Sequence, residues 1–168
     1  IAHTPLTSLS GMASLTSMGG WINVTDDPAL TSIGLHNLTR CNGFLFWGLP
    51  NLTSLEDISH HLVNTSISTF WMIQTGITDL SGLDSLTSVP NFYLWSNPNL
   101  VSAHGLEKVQ GNVAEGISIH DNPLLTDITA LSGITAVSNG TLEIDSNPLL
   151  TSLTGLGNIT DIGKGLWI

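Results

Sequence analysis

The chain has 168 residues, only 10% of them charged, and its formal net charge of −10 leaves Arg40, Lys108 and Lys164 as the only lysines and arginines. This balance excludes nucleic acid as a partner, because phosphate binding needs clustered basic residues, and it disfavours an anionic membrane surface. No apolar run approaches the roughly 20 residues of a membrane-spanning helix, so no membrane insertion is expected.

One repeated phrase runs through the chain. Its fullest copies begin N-P-x-L-T-S-L-x-G-L and close with G-x-L-x-I. The apolar residue after the Pro or Gly of each copy recurs at gaps of 24, 22, 25, 23, 25 and 25, obtained by subtracting successive positions: Leu6, Leu30, Leu52, Ile77, Leu100, Leu125 and Leu150. We therefore predict about seven coils of 22–25 residues in a single repeat domain over residues 1–168.

Short apolar stretches in each copy alternate with period two, which is typical of strands with one buried face. The last stretch of each copy centres, in chain order, on Asn23, Leu45, the segment 70–73, Tyr93, Ser118, Glu143 and Trp167. No copy has room for a long amphipathic helix, and Asn-Pro, Ser-Gly, Gly-Gly and Asn-Gly turns divide the stretches. These features predict an all-β fold, a right-handed parallel β-solenoid or leucine-rich β-helix.

The Asn-Pro corners and the chain ends add two expectations. Asn97, Asn122 and Asn147 occupy the same place in successive copies, as Asp27 does in an earlier one, and their amides are expected to form a hydrogen-bonded ladder. The chain begins and ends in register with the repeat, without the polar caps of most solenoids. We expect it to be uncapped at both ends, either as a window of a longer array or because other chains continue the stack.

Two of the copies, NPLLTDITALSGITAVSNGTLEI and NPLLTSLTGLGNITDIGKGLWI, resemble the repeats of receptor L domains and, more closely, the L-domain-like arrays of fungal and protist cell-surface proteins. The resemblance implies a leucine-rich β-helix that binds proteins, anchors walls or builds coats, with no shared catalytic residues. The chain lacks the disulfides of the receptors, which favours the disulfide-free arrays.

The tripeptide N-x-S/T, the acceptor for N-glycosylation, occurs six times: at Asn23, Asn37, Asn51, Asn64, Asn139 and Asn158. Asn23 lies between the inward-facing Ile22 and Val24, so its side chain is expected to point outward. We predict N-glycans on at least two of these asparagines, which implies a eukaryotic secreted or cell-surface protein.

Candidate sites of chemistry are weak. Cys41 is the only cysteine and is expected to be a small buried residue, the alternative being an intermolecular bridge or a reactive thiol. His60 and His61 would point to opposite faces of a strand, so no metal site is predicted there. Calcium is not predicted either, because no D-x-D-G grouping accompanies the corner aspartates: Asp26, Asp27, Asp121, Asp145 and Asp161. With no catalytic grouping in view, neither an enzyme nor a cofactor is predicted.

Two outward-facing features remain. Threonines follow the inward apolar residue in six copies, with Val101 in the other: Thr7, Thr31, Thr53, Thr78, Thr126 and Thr151. Such a column suggests ice binding, although threonine is also the ordinary residue of an exposed strand. The second feature is an outward aromatic strip, predicted to be an interaction surface: Leu45, Trp47, Tyr93, Trp95 and Trp167.

From these features we predict a non-enzymatic extracellular structural or adhesive glycoprotein, built as a stackable β-solenoid for a filament, coat or surface assembly. Its partners would be like chains stacked end to end or other surface glycoproteins. A ligand-binding receptor-type L-domain module and an ice-binding protein are the alternatives.

Overall fold

The computed structural model describes residues 1–58, 62 and 67–168, which form an all-β parallel solenoid. Its strands are, in chain order, β1 (Trp21–Thr25), β2 (Gly43–Leu49), β3 (Thr69–Thr75), β4 (Asn91–Trp95), β5 (Gly111–Asn112), β6 (Gly116–His120), β7 (Ile134–Val137), β8 (Thr141–Asp145), β9 (Asp161–Ile162) and β10 (Gly165–Trp167). Two short 3-10 helices span Ser10–Met12 and Thr129–Gly133.

The strands form two sheets in which every pairing is parallel. The large sheet has seven strands in the order β1-β2-β3-β4-β6-β8-β10, and the small sheet has three in the order β5-β7-β9. Each strand of the large sheet thus lies directly beside the next one along the chain. Six connecting segments join these seven strands, so the solenoid has about six turns rather than the seven coils predicted. The prediction counted copies of the motif, and each copy corresponds to one strand of the large sheet and not to one full turn.

The core consists of side-chain columns that run along the solenoid. On the large sheet, Ile22 pairs in register with Phe44 and Val24 with Phe46, all four being buried. Further along, the rings of Phe70 and Phe92 stack with centroids 5.1 Å apart. Each fully buried side chain of this size contributes about 1.5–3 kcal/mol.

The leucine positions that define the repeat form a second part of the core. Five of the seven are fully buried: Leu30, Leu52, Ile77, Leu100 and Leu125. Leu150 is partly buried against the same core, whereas Leu6 is 42% exposed and departs from the predicted inward position. Leu6 belongs to the first coil described, which has a neighbouring coil on one side only.

One corner of the solenoid repeats a left-handed backbone conformation. The residue directly after each of β1, β4, β6 and β8, and Gln74 near the end of β3, has a φ between 52° and 57°; the four residues after strands are Asp26, Ser96, Asp121 and Ser146. Gly48, within β2, has a φ of 67° at the equivalent position. This residue turns the chain out of the large sheet, and the residue that follows it directs its side chain inward.

Those inward side chains build the asparagine ladder. The backbone N–H and the Nδ2 of Asn97 donate to Oδ1 of Asn122 at 3.1 and 3.2 Å. The same two groups of Asn122 donate to Oδ1 of Asn147, both at 3.1 Å. Nδ2 of Asn122 also donates to the carbonyl oxygens of Leu94 and His120 at 2.9 and 3.0 Å. The asparagines therefore satisfy buried backbone groups that the corner would otherwise leave without partners.

The ladder continues to Thr75 and is interrupted at Leu49. Both the backbone N–H and the hydroxyl of Thr75 donate to Oδ1 of Asn97, at 3.0 and 2.7 Å. Leu49 pairs in register with Thr75 but offers no polar side-chain atom. Asp27 lies beyond it, fully buried, and accepts from the backbone N–H of Thr4, while its Oδ2 has no hydrogen-bond partner among the described residues.

A second corner is held by short polar side chains. At this corner a serine or aspartate oxygen accepts from the backbone N–H two residues later: Ser8, Ser54, Asp79, Ser102, Asp127 and Ser152. This local hydrogen bond is the Asx or Ser/Thr turn, which satisfies an amide that the bend removes from the sheet. It explains why Ser or Asp so often follows the threonine of the repeat.

Replacing Asn122 with alanine tests the ladder. The change removes the acceptor of the backbone N–H and Nδ2 of Asn97 and the side-chain donor to the carbonyl oxygen of Leu94, and these three hydrogen bonds are buried. We expect the free energy of unfolding, measured by urea titration, to fall by about 3 kcal/mol or more. Asn99→Ala is the control, because Asn99 is exposed and makes one long bond of 3.5 Å, and it should cost under about 0.5 kcal/mol. Equal losses in the two variants would contradict a structural role for the ladder.

Candidate interaction surface

The outward face of the large sheet carries two rows of side chains that cross the strands. The first row comprises Asn23, Leu45, Trp71, Tyr93, Ser118, Glu143 and Trp167. The second comprises Thr25, Trp47, Ile73, Trp95, His120 and Asp145. All five residues of the predicted interaction strip lie in these rows, on one face of one sheet.

The structure places one further residue, Trp71, in the predicted interaction strip and separates Trp167 from its other members. The phase of the segment 70–73 is ambiguous in the sequence, and the structure buries Phe70 and Met72 while leaving Trp71 36% exposed. Trp167 is in β10 and is divided from Tyr93 by Ser118 and Glu143 in the same row. We therefore define the aromatic strip as a contiguous set on β2, β3 and β4: Leu45, Trp47, Trp71, Tyr93 and Trp95.

Three rings of the strip, those of Trp71, Tyr93 and Trp95, contact one another. Trp71 and Tyr93 meet edge to face with centroids 5.2 Å apart, and Tyr93 and Trp95 do the same at 5.3 Å. The imidazole of His120 continues the series, with its centroid 4.7 Å from that of Trp95. Edge-to-face pairs are a favoured aromatic geometry, so four rings on three strands form one cluster.

Hydrogen bonds fix two of the indoles. Nε1 of Trp47 donates to Oε1 of Gln74 at 3.0 Å, although the side chain is 47% exposed. Nε1 of Trp95 donates to Oγ of Ser118 at 2.9 Å, and that hydroxyl donates to Oε2 of Glu143 at 2.9 Å. The relay from Trp95 to Glu143 crosses β4, β6 and β8, so the ring is oriented by neighbouring coils and not only by its own strand.

Carboxylates lie beside the rings. Glu143 occupies the row of Tyr93, and Glu115 precedes β6, where its Oε2 accepts from Nδ2 of Asn91 at 2.8 Å. Burial raises the pKa of the Tyr93 phenol, and the negative charges of Glu115 and Glu143 raise it further. The two carboxylates therefore add to the effect of burial on the pKa of the phenol.

Five of the six predicted glycosylation sites are described, and all five asparagines are exposed: Asn23, Asn37, Asn51, Asn139 and Asn158. Asn64 lies outside the described residues. Nδ2 of Asn37 and of Asn158 donates to a carbonyl of the preceding coil, at 2.9 and 2.7 Å, as does that of Asn51 at 2.7 Å. Asn23 is in β1 and the other four lie outside the large sheet, so none of the five is on a strand of the aromatic strip.

The predicted threonine column is a single file of exposed residues. The backbone N–H of Thr31 donates to the carbonyl of Thr7 at 3.0 Å, and that of Thr126 to Val101 at 2.9 Å. A second file, which the sequence analysis missed, lies elsewhere on the coils, where Thr39 and Thr160 donate to the carbonyls of Thr16 and Thr135. The two files occupy separate parts of the coil, so neither forms a broad threonine surface.

Cys41 is buried in the core. Burial raises the pKa of its thiol, and a hydrogen bond involving the backbone of Gly43 acts in the opposite direction. The described part of the chain contains no group of three or more His, Cys, Asp or Glu side chains able to hold a metal ion. His60 and His61 lie outside the described residues, and no helix within those residues is long and apolar enough to cross a membrane.

Comparison with protein-family models, curated proteins and solved structures finds no match to this chain.

The raised pKa of Tyr93 gives a direct test of the surface, because Tyr93 is the only tyrosine in the chain. Absorbance at alkaline pH should show a phenol that ionises above its ordinary value of about 10. Glu143→Gln keeps an acceptor for Ser118 and removes one negative charge, so it should lower the pKa of Tyr93. Glu56→Gln, on an exposed turn outside the large sheet, should leave it unchanged.

The raised pKa of Tyr93 also makes the stability of the fold depend on pH. The folded state holds the phenolic proton more tightly than the unfolded chain, so this contribution to stability is complete below the ordinary pKa. It is lost as the pH rises through the raised pKa of the folded state. A Tyr93 that titrates at or below its ordinary pKa would contradict the described packing.

Proposed function

We propose that this chain is a non-enzymatic extracellular protein with a structural or adhesive role, which binds other protein chains through the aromatic strip. The observation that carries the proposal is the contiguous cluster of Trp71, Tyr93 and Trp95 on the large sheet, in which Trp71 is 36% exposed and the other two rings are partly exposed, with the 47% exposed Trp47 beside it. Exposed aromatic clusters of this kind are typical of protein interfaces, where tryptophan and tyrosine supply most hot spots.

The rigidity of the strip supports binding rather than accidental exposure. Its side chains stand on strands that pair in register, and the indoles of Trp47 and Trp95 are held by hydrogen bonds. Side chains that are already ordered lose little entropy when a partner binds them. A partner would therefore meet a preformed surface.

The extracellular part of the proposal rests on the glycosylation sites. Their five described asparagines are exposed; four of them lie outside the large sheet, and Asn23 is in β1, paired in register with Leu45. This arrangement suits a surface glycoprotein of the L-domain-like array type, whose partners would be like chains, stacked along the axis or face to face, or other surface glycoproteins. A receptor-type module would use the same strip for a soluble ligand.

The strip is tested by changing its two most exposed tryptophans together, Trp47→Ser and Trp71→Ser. Beads coated with wild-type protein should aggregate with one another or adhere to cells that display surface glycoproteins. Loss of two hot-spot side chains should weaken that adhesion at least about tenfold. Trp21→Ser is the matched control, because Trp21 is 51% exposed on the same sheet but lies outside the strip.

Thermal unfolding of each variant separates lost binding from lost structure. Adhesion that survives in the double variant, or that falls equally with Trp21→Ser, would count against the strip as the binding surface.

Glycosylation is tested by secretion from eukaryotic cells. The intact mass of the secreted chain should fall after enzymatic removal of N-glycans. Asn37→Gln and Asn158→Gln should each remove one glycan mass, since both side chains are exposed. Asn99→Gln is the control, because Asn99 is not followed by the acceptor tripeptide and should leave the mass of the glycans unchanged. A secreted chain whose mass does not change on deglycosylation would contradict the glycoprotein assignment.

A further inference from the structure

Negative charge is concentrated on one side of the aromatic strip. Glu143 and Asp145 continue the rows of Tyr93 and Trp95 onto β8, and Glu115 stands beside Tyr93 at the start of β6. Along the solenoid axis, the outward face of the large sheet thus changes from the rings of the aromatic strip on β2, β3 and β4 to carboxylates at β6 and β8.

The two glutamates are oriented and remain available. Oε2 of Glu143 accepts from Ser118, and Oε2 of Glu115 accepts from Asn91. No hydrogen bond within the described chain engages the Oε1 atom of either residue. Each carboxylate is therefore fixed by one oxygen and presents the other to a partner.

No lysine or arginine of the chain neutralises this charge within the sheet. Arg40 lies outside the large sheet, where its backbone forms an isolated β-bridge with Ser17. Lys108 precedes β5, and Lys164 lies between β9 and β10. The one titratable nitrogen group in the rows is His120, whose Nδ1 lies 3.0 Å from Oδ2 of Asp121. A neutral apolar partner would cover these carboxylates without pairing them, which costs free energy.

We infer that the occupant of the aromatic strip is a basic protein segment, with an arginine packed on Tyr93 and Trp95 and hydrogen-bonded to the free oxygens of Glu115 and Glu143. This inference rests on the proposed function and specifies the partner as a different protein, because a second copy of this chain, with a net charge of −10 and one arginine, does not provide a basic segment. Arginine suits the surface because its planar guanidinium stacks on aromatic rings while its N–H groups bind carboxylates. Lysine would provide the charge without the planar fork.

The ring geometry argues against a flat ligand. The planes of Trp71 and Tyr93 are inclined at 75°, and those of Tyr93 and Trp95 at 87°. Successive rings therefore do not form the level platform on which a flat ligand could stack along the strip. A guanidinium needs only one ring together with a nearby carboxylate, and Glu143 lies in the same row as Tyr93.

The test uses synthetic decapeptides titrated into the whole chain by calorimetry. A peptide of five Arg-Gly pairs should bind at least tenfold more tightly than one of five Gln-Gly pairs. The double variant Glu115→Gln and Glu143→Gln should weaken binding of the arginine peptide at least fivefold. Glu56→Gln with Glu107→Gln removes the same net charge from exposed positions outside the large sheet and should change binding less than twofold.

The outcomes separate this inference from the proposed function. If both double variants weaken the arginine peptide equally, the peptide senses net charge alone, and the inference is overturned. If the arginine peptide fails to bind while adhesion still depends on Trp47 and Trp71, the inference falls and the proposed function stands. If neither the tryptophans nor the glutamates affect any binding, both fall.

Discussion

Each coil of this protein completes its backbone hydrogen bonds through the coils on either side of it. Strands pair only with the equivalent strand of the next coil, and even the turns donate across coils, as Thr31 does to Thr7 and Thr160 to Thr135. The coils must therefore lie close together. At Gly105, where φ is 104°, an added Cβ would lie 2.1 Å from the carbonyl oxygen of Leu80, so only glycine fits.

Because the coils stack in register, a residue that recurs with the period of the repeat is placed directly beside its equivalents in the neighbouring coils. A residue type that recurs at one place in the repeat becomes a column, whether of core leucines, corner asparagines or exposed threonines. The aromatic strip arises in the same way from Leu45, Trp71 and Tyr93, which are far apart in the chain but adjacent across strands. A continuous aromatic surface can thus form from residues that are distant in the sequence.

Much of this organisation could be predicted from the sequence because the repeat itself carries it. Gaps of 22–25 residues and alternating apolar positions were enough to predict a parallel solenoid and the outward direction of Leu45, Tyr93 and Glu143. The outward position of Trp71 could not be predicted. All four residues from Phe70 to Ile73 are apolar, so an alternating pattern does not show which of them face inward. The register of Trp71 with Leu45 on β2 and with Tyr93 on β4 fixes this position.

Other features depend on contacts that no periodicity records. Glu115 lies before its strand, so only the folded turn shows that it accepts a hydrogen bond from Asn91. Trp167 has the right phase but lies too far along the axis to join the cluster. Leu49 occupies a ladder position without a polar side chain, and only the structure shows that Oδ2 of the buried Asp27 has no hydrogen-bond partner among the described residues.

Tyr93 and Glu143 stand in one row with a single strand, β6, between them. Parallel strands are spaced about 4.8 Å apart, so gain or loss of one whole coil at this point would move the carboxylate relative to the rings by that step. The geometry inside each remaining strand would be unchanged. Unequal crossing-over between repeats could therefore change the distance between the rings and the carboxylate in steps of one coil. Folds whose surfaces are assembled from loops cannot diverge in this way.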